Sequence, residues 1–81
     1  MSIEDQIREI VARIVHVDQS IITRESTFKE IKADSLDIVQ ALVAVEEAFD
    51  IEIPDEEAQN FKNFGDFVAY VEGRVGEKEK S

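Results

Sequence analysis

The string Asp34-Ser35-Leu36-Asp37 sets a hydroxyl between two carboxylates at the head of an apolar run. Three roles are open to such a serine: a helix cap, a nucleophile, or an acceptor modified by another enzyme. A nucleophile needs a base to take its proton and a third group to orient that base. The chain has one histidine, His16, and no Gly-x-Ser-x-Gly turn. His16 falls near the end of the first predicted helix, where a partial positive charge suits the dipole. A serine hydrolase therefore has no base to rest on, and no catalytic residue is assigned.

Other chemistries fare no better. With no cysteine, the chain offers no disulfide, thiolate metal site or cysteine nucleophile. The segment from Asp50 to Glu57 is rich in oxygen ligands but lacks the glycine and ligand spacing of a calcium loop. Glu46 and Glu47 are neighbours on one predicted helix and so diverge rather than converge on a substrate. Three glycines, none clustered, make no phosphate loop. No dedicated metal site is expected.

Charge says more about partners. The 81 residues carry a formal charge of −10. Such a chain repels nucleic acid backbones and is steered toward basic protein surfaces. From Ala33 to Phe61 there are nine acids and no Lys or Arg. The longest apolar run, Ala41 to Val45, is far too short to span a membrane. The acidic start has no basic head or continuous apolar core of a signal peptide, so the cytoplasm is the simplest location.

The elements that would position Ser35 can be read from periodicity. Ile3, Ile7, Ile10, Val11 and Ile14 share one helix face. Ser2 is the expected cap, with Glu4 and Asp5 in the first turn, and the helix should end near His16 or Val17. A loop from Asp18 to Asp34 follows, anchored by Ile21, Ile22, Phe28 and Ile31. Loops of this length in small domains are functional or pinned, and this one reads as pinned. A second helix is expected from Ser35 to Phe49, capped by Asp34 or Ser35. Its buried stripe is Val39, Ala41, Leu42, Val45 and Phe49. Leu36 and Val43 fall toward its edge, beside Asp37, Glu46 and Glu47. Asp50 to Pro54 is too short and isolated for a sheet, so Ile51 and Ile53 are read as loop anchors. Pro54 should open a short helix over Asp55 to Gln59. Asn63 should cap a last helix with Phe64, Phe67, Val68 and Val71 inside, and Gly73 should stop it. The expected fold is all-α: a small bundle of three main helices plus one short helix. One domain over residues 1–75 is expected, with a disordered polar tail over 76–81.

The combination resembles the acyl carrier protein family. Carrying the resemblance are Ala33-Asp34-Ser35-Leu36-Asp37, Glu46-Glu47, Phe49-Asp50 and Ile53-Pro54-Asp55-Glu56-Glu57, with the acidic charge and the length. It spans most of the chain, to Val71, and is most similar to the stand-alone carriers of dissociated fatty acid synthesis. It implies that Ser35, flanked by Asp34 and Leu36, accepts 4′-phosphopantetheine from coenzyme A through a phosphopantetheinyl transferase. The arm's thiol would then carry acyl groups to synthases and acyltransferases of a fatty acid, lipid or polyketide pathway. The resemblance also implies a docking face on the helix after Ser35, made of Leu36, Asp37, Val43, Glu46 and Glu47 and meeting basic patches on partners. Family members often shelter the acyl chain between helices. Ala41, Ala44, Ala48, Val39, Val45 and Val68 could leave such a space or simply pack. The chain itself would be a monomeric carrier and not an enzyme. The alternative is an acidic helical interaction module without a prosthetic group.

Three positions depart from the family pattern. Lys32 stands where glycine is common. The segment from Phe28 to Ser35 is one residue shorter than usual. Gln40 stands where an acid is frequent.

Overall fold

The computed structural model describes residues 2–80 and is helical throughout its regular elements. Helix α1 covers Ile3–Val15, α2 Ser35–Phe49, α3 Asp55–Ala58 and α4 Phe64–Lys80. A single 3₁₀ turn, Gln19–Ile21, interrupts the long loop. No strand occurs among the described residues, and Ile51 to Pro54 are irregular as expected.

Each long helix begins where the sequence indicates. Ser2 accepts from the Asp5 N–H at 3.1 Å, and Glu4 and Asp5 occupy the first turn of α1. Asn63 Oδ1 accepts from the Asp66 N–H at 2.9 Å and so caps α4. Pro54 precedes α3, where its fixed φ suits a helix start. Two helix ends turn on non-glycine residues in the left-handed region: His16 after α1 at φ 60° and Asp50 after α2 at φ 54°.

The core is continuous. Helix α1 packs against both α2 and α4. Ile7, Val11, Ala41, Leu42, Val45, Phe64, Phe67, Val68 and Val71 are buried in one cluster. Ile22, Ile31 and Ile53 join it from the loops, so the long loop is pinned as expected. Backbone also holds it: the N–H groups of Phe64 and Gly65 donate to the carbonyls of Ser26 and Arg24, both at 2.8 Å. Gly65 permits this approach, since a Cβ there would lie 2.9 Å from the Arg24 carbonyl oxygen.

Three expectations are corrected. Ile21 is 53% exposed and is not an anchor, because the 3₁₀ turn directs Ile22 inward instead. Val39 is also 53% exposed, on the side of α2 that α1 and α4 leave uncovered. Gly73 does not stop the last helix. Helix α4 runs through Gly73 and Gly76 to Lys80. Both glycines face open space, Val75 packs on the core, and Lys78 pairs with Asp50 at the end of α2. These contacts offset the cost of two mid-helix glycines, about 1 kcal/mol each against alanine. The polar segment is therefore helical to residue 80, and residue 81 lies outside the described residues.

Candidate functional site

The site is the junction between the long loop and α2. The chain arrives through a turn in which the Lys32 N–H donates to the Lys29 carbonyl at 3.0 Å, and that of Ala33 to Phe28 at 2.9 Å. Lys32 itself sits at φ 59°, in the left-handed region that glycine occupies without steric cost. The residue that departs from the family pattern thus holds a position whose geometry favours glycine.

Asp34 is extended, at φ −89° and ψ −179°, and is the N-cap of α2. Its Oδ1 accepts from the Asp37 N–H at 2.8 Å, and Asp37 Oδ2 accepts from the Asp34 N–H at 3.4 Å. This reciprocal pair is a capping box. It settles which of Asp34 and Ser35 is the cap. Ser35 is the first residue of the helix, it is exposed, and its hydroxyl takes no part in the box. A hydroxyl there projects at the positive end of a 15-residue helix, a place suited to phosphate. The residues present therefore fit a phosphodiester on Ser35: an accessible oxygen, a helix start that stays capped without it, and a favourable dipole. His16, the one imidazole, ends α1 as the left-handed cap.

Along α2 the structure brings together an exposed apolar row. Leu36 is 63% exposed and Val43 47%, as expected, and Val39 lies between them. Positions 36, 39 and 43 follow helical spacing and so form one stripe. Val39 was legible as a neighbour of that stripe, three residues after Leu36 and four before Val43. Reading it as buried overextended the core face. Gln40 and Glu47 are exposed beside the row.

Glu46 is different from Glu47. It is half-buried, and its Oε2 accepts from the Ile53 N–H at 2.9 Å. That carboxylate ties α2 to the loop before α3 as well as adding charge to the surface. Asp50 is held below the usual carboxylate range by its hydrogen bond from Lys78 and by that charge. Asp18 is lowered likewise by the backbone N–H and the side chain of Ser20. No cluster of potential metal ligands forms among the described residues.

Two spaces lie beside Ser35. An open groove of about 520 Å³ runs between α2 and α3, lined by Ser35, Val39 and Ala58 with Asp55 and Gln59 at its rim. Behind it, a void of about 10 Å³ lies in the core against Val11, Ala33, Ala41 and Phe67. Phe28, Ile38, Leu42 and Phe61 line both and form the wall between them. The alanines expected to leave room are dispersed: Ala41 is buried, Ala44 half-buried and Ala48 exposed. Val45 and Val68 are fully packed.

Residues 5–71 match the family model described as a phosphopantetheine attachment site. An acyl carrier protein of Clostridium perfringens is 48% identical over 68 residues, covering 83% of this chain and 90% of its own length. One from Helicobacter pylori is 44% identical over 73 residues, covering 89% of this chain and 94% of its own. The solution structure of a holo acyl carrier protein from Geobacter metallireducens superposes with a TM-score of 0.86 at 28% identity, covering 99% of this chain and 93% of that one.

Proposed function

We propose, on the premise that the chain belongs to the acyl carrier protein family, that Ser35 carries its 4′-phosphopantetheine arm. The observation that supports this position is the division of labour at the start of α2. Asp34 and Asp37 close the cap between themselves, while Ser35 presents its hydroxyl to solvent.

The protein is an acyl carrier, and its prosthetic group supplies the thiol that the sequence lacks. In the attachment reaction the Ser35 Oγ–P bond forms as coenzyme A's diphosphate bond breaks, releasing adenosine 3′,5′-bisphosphate. A phosphopantetheinyl transferase supplies the base that accepts the hydroxyl proton. What this chain contributes is an accessible oxygen at a rigid helix start and a surface for partners.

That surface is the stripe of Leu36, Val39 and Val43 with Asp37, Glu46 and Glu47 around it. Single exposed ion pairs contribute about 0–1 kcal/mol, so several must act together and release stays easy. Acyl-chain synthases and transferases with basic patches are the matching partners. No helix among the described residues is long and apolar enough to cross a membrane. The reading is of a monomer working in the cytoplasm, in fatty acid synthesis or a specialised lipid or polyketide pathway.

The test is to incubate the purified chain with coenzyme A, Mg²⁺ and a broad-specificity phosphopantetheinyl transferase, and then weigh it. One added phosphopantetheine, absent in Ser35→Ala, is the expected result. No addition to the folded wild type would overturn the assignment and favour an interaction module without the arm. Addition to Ser35→Ala would move the site elsewhere.

A further inference from the structure

The arrangement of the two spaces beside Ser35 bears on where a carried acyl chain goes. This inference rests on Ser35 as the attachment point. The void in the core is about 10 Å³, less than a single water's share of liquid volume, about 30 Å³. It cannot take an acyl chain without movement of the wall. The groove of about 520 Å³ needs no such movement, and Ser35 itself lines it.

The wall is aromatic where it matters. Phe61 follows α3, is half-buried, and belongs to both spaces. Its ring stacks on Phe67 at 5.5 Å and 21°, and meets Tyr70 at 5.5 Å and 55°. Phe67, 1% exposed, is also met by Phe28 at 6.4 Å. Moving Phe61 aside would separate it from both partners. Staggered, offset rings of this kind are held by shape and quadrupole as well as by buried area. Val39, meanwhile, is an apolar side chain left facing the groove.

We propose that Phe61 determines the path of the acyl chain: a saturated chain tethered to Ser35 lies in the open groove over Val39 and Ala58, excluded from the core by the Phe61 ring. The thioester and the chain then stay accessible to partners and to water. Truncating Phe61 opens the wall and lets the chain inward.

The spaces have separate reporters. Val39 and Ala58 line only the groove, and Val11 and Ala41 only the void. Isotope-labelled protein is modified with unlabelled octanoyl-coenzyme A by a phosphopantetheinyl transferase. Its mass is checked first, which reads the Ser35 assignment alone. Filtered nuclear Overhauser spectra then locate the chain. In the wild type, cross-peaks are expected from octanoyl to Val39 and Ala58 and not to Val11 or Ala41. In Phe61→Ala, cross-peaks to Val11 and Ala41 should appear. Phe61→Leu keeps the volume better and serves where the alanine variant does not fold, with weaker cross-peaks to the same residues. Cross-peaks to Val11 and Ala41 in the wild type overturn the proposal. So does a chain that stays in the groove of the folded variants. A failed mass step instead rejects Ser35 as the attachment point, and the proposal falls with it.

Discussion

Asp37 donates its backbone N–H to Asp34 Oδ1 at 2.8 Å, and Asp34 returns the bond through its own N–H. The box frees the intervening Ser35 of any duty as cap. Asp34→Ala should therefore lower stability by about 0.5–2 kcal/mol, the usual loss for an N-cap. Ser35→Ala should change it by less than about 0.5 kcal/mol while abolishing attachment. Urea unfolding of both variants checks the contrast, and equal losses would mean that Ser35 shares the cap.

Lys32 is held at φ 59° in the turn before the site. A side chain in that region costs roughly 1–2 kcal/mol, part of which glycine gives back through its freer unfolded chain. Lys32→Gly should stabilise the protein by about 0.5–1 kcal/mol, read as a higher denaturant midpoint at unchanged slope. Lys32→Ala should bring no comparable gain, since it keeps the Cβ.

Glu46 and Glu47 are adjacent yet should behave differently. Glu46 accepts from the Ile53 N–H at 2.9 Å, and Glu47 is exposed. Glu46→Ala should cost about 1–3 kcal/mol by leaving a partly buried N–H without its charged acceptor. Glu47→Ala should stay within about 0.5 kcal/mol. Both should weaken partner binding, so thermal unfolding beside a binding assay separates the structural role from the surface one.

Asp50 is lowered by Lys78, so its folded carboxyl loses its proton more readily than the unfolded one. Its contribution is present above the unfolded value, about 3.9, and is lost as pH falls through the lower folded value. Asp50→Asn should narrow the stability difference between neutral and acid pH. An acid titration of unfolding free energy for Asp50→Asn and the wild type, identical in slope below pH about 4, would show that the pair carries no linkage.

The row of Leu36, Val39 and Val43 is exposed, and the charge around it is acidic. Val39→Ser should leave stability within about 0.5 kcal/mol and weaken binding to a basic partner enzyme. Affinity of the wild type should fall as salt rises, because the attraction acts between solvent-exposed charges. An affinity flat with salt would remove the electrostatic part. An unchanged affinity in Val39→Ser would remove that residue from the face.

Much of this was legible in the residues. Caps declare themselves chemically: Ser2, Asn63 and the Asp34-to-Asp37 pair begin helices because short polar side chains satisfy first-turn N–H groups. The inward rows of α1 and α4 follow from spacing alone, as Ile7, Val11, Phe64, Phe67, Val68 and Val71 show. The candidate attachment point emerged from elimination and family resemblance together: no base to make Ser35 a nucleophile, and a local string typical of a carrier.

Tertiary structure decided the rest, because periodicity tells which residues share a face but not what covers it. Val39 reads as core until one sees that α3, four residues long, leaves it bordering the groove. Gly73 reads as a stop until Val75 and the Lys78–Asp50 pair hold the helix beyond it. Glu46 and Glu47 are equivalent in sequence, and only the approach of Ile53 turns one carboxylate to structural use. Lys32 looks like a chance substitution until its positive φ shows what the turn asks of that position. The sequence by itself determined the helices, their caps and the chemistry available to the site. Packing between segments distant along the chain decided which apolar residues stay exposed beside Ser35, and how little room the core leaves behind Phe61.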